Sequence, residues 1–220
     1  MLFLNTILSN ILNMVFPIRC IACGENGKDF CAKCLSDAPC AERETAKWIF
    51  PLYDYRHPPI KKALQLLKYK GKKRLASIFA EVLYGKIMEE LSELSIMENF
   101  SNPILIPIPL SAKRYRERGY NQAELICRGL IKSDKEKNFR LEKNILIKPK
   151  ETEHQAQIEN RQKRLENILD SFSIKDGEKM KGRNIILIDD ITTTGATLNE
   201  ARKTLKQGGA RKIIAFTVAH

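Results

Sequence analysis

The chain has 220 residues, 43% apolar and 29% charged, with 38 Lys and Arg against 26 Asp and Glu for a formal net charge of +12. This is the composition of a soluble globular protein with one full domain and a small appendage, and no segment reaches the ~18–20 apolar residues that a bilayer crossing needs. The positive balance favours polyanionic partners such as nucleic acid, anionic membrane surfaces or phosphorylated substrates; the alternative is a basic surface that only keeps the protein in solution.

Residues 2–16 are apolar but carry Asn5, Asn10 and Asn13 and lack a preceding basic stretch. This argues against a secretory signal and for residence in the cytoplasm. Leu4, Ile7, Leu8, Ile11, Leu12 and Val15 recur at helical spacing, as in a docking helix rather than a membrane anchor. Cys20 and Cys23 form one Cys-x-x-Cys turn, and Cys31 and Cys34 a second, seven residues on. Two such turns offer four thiolates to a tetrahedral Zn²⁺, a filled coordination sphere and hence a structural role. Two disulfides or a redox pair are the alternatives, and disulfides fit a cytosolic chain poorly. Cys40 and Cys127 stand alone and are expected to act as small apolar residues. His57, His154 and His220 have no ligand spacing and are assigned no metal.

Residues 48–55 are aromatic and β-branched enough for a strand, with Pro51 placing it at a sheet edge. Pro58 and Pro59 open a helix with Ile60, Ala63, Leu64 and Leu67 on its apolar face. Between Arg56 and Arg74 there are basic residues, Lys68 among them, and no acidic ones, and the aromatic Tyr69 lies inside the stretch. That stretch is either a nucleic-acid patch or a solvated helix face. A second helix, 75–94, is expected to bury Ile78, Val82, Ile87 and Leu91. Residues 104–109 read as a short buried strand ending in a proline turn. Arg114, Arg116 and Arg118 follow, a cluster suited to a phosphate-rich ligand because guanidinium binds phosphate oxygens in pairs.

Asn121 or Ser111 can cap the helix that ends near Ile131, residues 132–138 are a charged loop, and 144–147 form a short strand. Residues 152–167 are polar and helix-prone without a strong apolar face, and read as a mobile lid carrying Gln155, Arg161 and Arg164, or as a linker helix. Ile185-Ile-Leu-Ile188 is a fully buried strand, and Asp189 and Asp190 stand at its end. A small-residue turn opens a helix over 196–207, followed by a Gly208-Gly209 stop and a last strand, 212–218. A strand, an acidic pair and a Thr/Gly turn at a helix N-terminus make a phosphorylated-sugar site. The N–H groups of Thr193, Thr194, Gly195, Ala196 and Thr197 can converge on a phosphate, and Asp189 and Asp190 lie one ribose away as acceptors for vicinal hydroxyls.

Residues 185–197 resemble the phosphoribosyl-diphosphate (PRPP) motif of type I phosphoribosyltransferases. The order of the Cys pairs, LKYKG (67–71), IPIPL (106–110), RERGYNQAEL (116–125), the Gln–Arg–Arg–Asn segment and the ribose motif is similar to that of the ComF family, competence-associated proteins with a zinc ribbon and a phosphoribosyltransferase domain. The resemblance implies a type I phosphoribosyltransferase fold, a mainly parallel α/β sheet flanked by helices, over 56–220, with a four-cysteine zinc-ribbon module and N-terminal helix in 1–55. It implies PRPP with Mg²⁺ as ligand, catalytic or ribose-binding roles for Asp189 and Asp190, and a 5′-phosphate turn at Thr193–Thr197. It also implies pyrophosphate contacts from Arg114, Arg116 and Arg118, a lid with Gln155, Arg161 and Arg164, and a role in DNA uptake beside a competence helicase. The acceptor of the ribosyl group is not among its implications. Single-stranded DNA binding, or PRPP sensing without turnover, on the same fold is the alternative.

Overall fold

Four consecutive apolar residues with both faces covered favour a parallel, doubly buried strand, and Ile185–Ile191 (β6) is the centre of such a sheet. The computed structural model describes residues 18–42, 46–149 and 171–220. The apolar stripe of residues 4–15, His154, and Gln155, Arg161 and Arg164 lie outside the described residues. The remaining strands are β1 (Ile49–Tyr53), β2 (Ile104–Pro107), β3 (Arg140–Leu141) and β7 (Ile213–Ala219). They form a five-stranded sheet in the order β1-β7-β6-β2-β3, with every pairing parallel. A separate antiparallel pair joins β4 (Leu146–Ile147) to β5 (Ser173–Ile174). The strand expected at 144–147 therefore exists, but outside the main sheet, and the two-residue β3 was not anticipated.

Alternation along the strands divides the core in two. Ile186 and Ile188 face one layer, while Ile185 and Leu187 face the other. The first layer holds α2 (Pro58–Tyr69), α3 (Arg74–Glu98) and α5 (Gln122–Ser133); the second holds α6 (Ala196–Gln207) and the β4–β5 pair. This is the α/β phosphoribosyltransferase-type fold expected from the sequence. Helix α2 buries Ile60, Ala63, Leu64 and Leu67, the four residues its periodicity selects. Helix α3 differs: Leu75, Phe79, Leu83 and Ile87 face the core, with Leu91. Ile78 and Val82 sit beside that stripe, lining a cavity of about 590 Å³ against Ile18, Phe30 and Leu35 of the N-terminal module. The shift arises because this long helix packs against two partners, so its apolar surface is wider than one stripe.

Pro51 lies on an edge strand as expected: β1 is the first strand in the sheet order, with β7 as its neighbour. Both caps proposed for one helix are used, on two helices. Ser111 accepts from the N–H of Arg114 to start α4 (Ala112–Arg118), and Asn121 accepts from Ala123 at 2.9 Å to start α5. Gly119 between them takes a left-handed conformation (φ 74°) that ends α4 at low steric cost. Cys127 is buried in the core as expected, and burial pushes its thiol well above the usual range. Cys40, expected to be a small apolar residue, is instead exposed at a bridge with Tyr53.

The N-terminal module carries α1 (Ala32–Ser36) and is fused to the sheet domain rather than tethered to it: Phe30, Leu35 and Ala38 are buried in the same cluster as α2 and α3. β1, within residues 1–55, is a strand of the main sheet.

Helices α3 and α5 approach closely at Gly129, where an added Cβ would lie 2.5 Å from the Ala80 Cβ. Gly129→Ala should therefore lower stability by about 1–3 kcal/mol despite alanine's better helix propensity. The double variant with Ala80→Gly should recover much of the loss, as read in a thermal double-mutant cycle.

Candidate functional site

β2 leads outward to β3 and β6 leads the opposite way to β7, so the carboxyl ends of the adjacent strands β2 and β6 form a topological switch point. Ligands of open parallel sheets bind in that crevice. Register makes the crevice specific: Pro107 pairs with Ile188, and the N–H of Ile108 donates to the Ile188 carbonyl at 2.9 Å. The chain after β2 thus emerges beside Asp189 and Asp190. Asn121 holds it there, its side-chain N–H donating to the Ile108 carbonyl at 2.9 Å.

At the end of β6 the structure brings together the acidic pair and the Thr/Gly turn. Gly195 caps α6 with φ 72°, and a Cβ there would press on Ile49 at 3.2 Å. Thr193 and Thr194 are exposed and Thr197 is half-buried. Among the described residues, the N–H groups of Thr193, Thr194 and Gly195 have no backbone acceptor. The Thr193 carbonyl points the other way, 2.9 Å from Nε2 of His220. Donors at the start of a twelve-residue helix, with the macrodipole behind them, fit a phosphate.

Asp190 is buried and pairs with Lys68, Nζ to Oδ1 3.0 Å. Asp189 accepts the N–H of Asp190 at 2.8 Å. Burial, and then the neighbouring Asp190 carboxylate, push Asp189 up to about 7, against the opposing pull of Lys68 and Lys148. Burial and the neighbouring Arg114 guanidinium pull Lys148 down to about 8, although Asp189 opposes the shift. Arg114 is depressed chiefly by burial and by Arg118, while Asp189 favours its charge. Arg114, on α4 after β2, and Lys148, after β4, therefore both lie within electrostatic reach of Asp189.

Arg114 and Arg118 are one turn apart on α4 and share a face, while Arg116, two residues from each, is turned away from it. Arg114 faces the acidic pair. Arg118 donates to Gln122 at 3.0 Å and lies 5.2 Å over the Tyr69 ring, and Arg116 is exposed. Sequence reasoning missed Lys148, which nothing local marks. It placed Lys68 on a solvated basic face, yet the Lys68 side chain is only 17% exposed and turns toward Asp190. The signal was its place in α2, next to Leu67 and so at the border of the buried stripe.

In the N-terminal module, the Cys20, Cys23, Cys31 and Cys34 sulfurs lie within 4.8 Å of one another. Cys20 and Cys23 are 3.7 and 3.8 Å from Cys31. A tetrahedral ion with bonds of about 2.3 Å separates its sulfurs by about 3.8 Å, so the cluster could hold a metal such as zinc. Burial would raise the Cys20 thiol, but N–H groups of Cys23, Cys31 and Ala22 outweigh it and bring the thiol down to about 6. Thiolate stabilisation of this kind suits a metal ligand.

Residues 136–220 match the family model of the phosphoribosyl transferase domain. The chain is 33% identical over 160 residues to competence protein ComFC of Bacillus subtilis, an alignment covering 72% of this chain and 59% of that protein. It is 26% identical over 206 residues to competence protein F of Haemophilus influenzae, covering 90% of this chain and 83% of that protein. The chain is thus similar to ComF-type competence proteins over most of its length. Its C-terminal part is phosphoribosyltransferase-like, and its N-terminal module carries a four-cysteine cluster. The alignment spans 59% of the length of the ComFC relatives of B. subtilis and of Streptococcus pneumoniae. Among the described residues no helix is long and apolar enough to cross a membrane.

The raised Asp189 has a stability consequence for the ligand-free fold. A carboxyl whose folded pKa lies above its unfolded value stabilises the native state at low pH, and that contribution is lost as pH rises from about 4 through about 7. Asp189→Asn removes this titration. The variant should gain thermal stability relative to the native chain between pH 5 and pH 8, a difference read from parallel melts.

Proposed function

We propose that this protein binds PRPP with Mg²⁺ at the β2–β6 switch point and transfers or holds its ribosyl group. The observation that carries this reading is the acidic pair and the Gly195 turn on one strand end, with the positive charges of Arg114 and Lys148 acting on Asp189. Asp189 and Asp190 accept the ribose hydroxyls, and the N–H groups and hydroxyls of Thr193–Thr197 hold the 5′-phosphate. Attack at C1 expels pyrophosphate through an oxocarbenium-like transition state, whose positive charge the two carboxylates favour. Arg114 and Lys148 draw the leaving pyrophosphate to the opposite wall, and Arg116 and Arg118 extend that basic surface outward. Gln155, Arg161 and Arg164 are positioned in the sequence to supply a lid that excludes water.

Two carboxylates facing Lys68 and the partly neutralised Lys148 leave acidity at the sugar side for a divalent cation, so the residues fit the Mg²⁺ that accompanies PRPP. When bound, Mg²⁺ neutralises pyrophosphate oxygens. In the N-terminal module the four cysteines hold a structural Zn²⁺, beside a transferase domain that takes in β1 (Ile49–Tyr53) as a strand of its sheet.

Calorimetry with PRPP and Mg²⁺ tests the reading. The native chain should bind, with affinity rising as pH increases through about 7 and Asp189 loses its proton. Asp189→Ala with Asp190→Ala should abolish binding, and Arg114→Ala should weaken both PRPP and free pyrophosphate roughly tenfold or more. No binding, or binding unchanged in the double variant, rejects the proposal. Pyrophosphate release measured with and without candidate acceptors then separates a transferase from a PRPP sensor.

A second reading has its own observation. Tyr69 and Tyr115 are large exposed aromatics, 60% and 50% accessible, among exposed lysines and arginines of α2 and α4. That surface suits single-stranded DNA, its bases stacking on the rings and its phosphates on the cations. Filter binding should give an affinity that falls steeply with salt and drops in Tyr69→Ala/Tyr115→Ala; a flat salt response would reject it.

Zinc in the cysteine cluster is checked separately. Chelation should release one Zn²⁺ per chain and lower the melting temperature, because metal-binding free energy in such ribbons is folding free energy. Any single Cys→Ser change at Cys20, Cys23, Cys31 or Cys34 should do the same.

A further inference from the structure

Lys68 belongs to none of the parts that the ribose motif, the β2 loop or the cysteine cluster supply, yet it makes the ion pair that seats Asp190. It comes from the last turn of α2, a helix that otherwise faces the core, and it reaches the end of β6 with its ammonium 3.0 Å from Asp190 Oδ1. The two side chains are 17% and 9% exposed, so the pair is shielded from water and salt.

The turn that follows Lys68 is pinned by residues from two other parts of the molecule. The Tyr120 hydroxyl, from the turn before α5, donates to the carbonyl of Leu67, the residue immediately before Lys68. The Lys73 ammonium lies 4.7 Å over the same Tyr120 ring. Lys72 reaches the buried Asp29 of the cysteine module at 3.3 Å. Gly71 closes the turn in a left-handed conformation, φ 67°. An ordinary surface lysine is not held this way. Lys70, two residues on, is exposed.

We propose that Lys68 is a positioning residue of the ribose site: clamped through Tyr120, it fixes the Asp190 carboxylate in one orientation and leaves Asp189 as the carboxylate that meets the ligand first. The inference rests on the reading of this crevice as a ribose site, but the ion pair itself can be tested without any ligand. A lone pair of adjacent carboxylates would repel and rotate apart. With Lys68 against one of them, the two acquire different surroundings: Asp190 is buried against the Lys68 ammonium, while Asp189 is half-buried and accepts the N–H of Asp190. Asymmetric surroundings of this kind let two like groups take two roles.

The experiment uses the full chain as Lys68→Met, Lys68→Arg and Tyr120→Phe, with two readouts. The first is a ¹³C carboxyl NMR titration of the ligand-free protein. Lys68 opposes the rise of Asp189, so its loss should carry the Asp189 midpoint further up, Lys68→Arg should restore it, and Tyr120→Phe should move it part of the way in the same direction. A midpoint unmoved in Lys68→Met overturns the proposal. The second readout is calorimetry with PRPP and Mg²⁺. Lys68→Met should bind roughly ten- to a hundredfold more weakly, the loss expected for a charged hydrogen bond, with recovery in Lys68→Arg. Native-like or tighter binding by Lys68→Met overturns it. If the native chain itself fails to bind PRPP, the ribose-site reading falls, and the titration alone decides whether Lys68 seats Asp190. Lys68→Arg keeps the charge, and so keeps both readouts meaningful should Lys68→Met unfold.

Discussion

Two neighbouring carboxylates at the buried end of a central strand are the constraint on which this molecule depends. Desolvation and mutual repulsion both disfavour their charges. Each must find cations or stay protonated: Lys68 from α2 pairs directly with Asp190, while Lys148, after β4, and Arg114, on α4, add positive charge near Asp189. The remaining electrostatic imbalance lies on Asp189, whose carboxyl is raised, and a ligand that brings hydroxyl donors and a divalent cation would relieve it. The site is strained in its ligand-free state for the same reason that it suits a sugar phosphate. Stability and ligand affinity therefore respond in opposite directions to the ionisation of Asp189.

The sheet makes this arrangement possible because all its strands run in one direction. Parallel pairing puts every carboxyl end on one rim, and the change of direction between β2 and β6 opens the crevice there. Polar loops gather on that rim while both faces of the sheet are sealed by helices, so the central strand can be apolar along most of its length and acidic at its tip. The cysteine module shares in this. Its Phe30 and Leu35 enter the same core as α2, and its Asp29 reaches the turn that follows Lys68. What the sequence suggests is a small appendage is a packed layer of the domain.

Much of the fold was legible because its signals are local. The apolar face of α2, the proline at the β1 edge, the caps Ser111 and Asn121, and the glycine stop after α6 each depend on residues within a few positions of one another. The core face of α3 was read a little out of register, since a helix gripped from two sides carries apolar residues beyond one stripe. The strand at Leu146 was found but its partner could not be, because antiparallel pairing with β5 joins segments far apart in the chain. In the candidate site, the acidic pair, the Gly195 turn and the four cysteines stood out by spacing alone. Lys68 and Lys148 did not. A lysine beside a buried stripe and a lysine after a short strand have no local mark that separates them from solvated ones.

The sequence by itself determined a buried strand tipped with Asp189 and Asp190, a phosphate-sized turn after it, and a four-thiol cluster at the other end of the chain. Those are short-range patterns, where the chemistry is carried by neighbours in sequence. Only the tertiary structure decided which cations answer the two carboxylates, that Arg114 rather than Arg116 faces them, and that the cysteine module shares its core with α2. Counter-charges are chosen by distance in space, and parallel crossover connections bring together residues more than a hundred positions apart, such as Lys68 and Asp190.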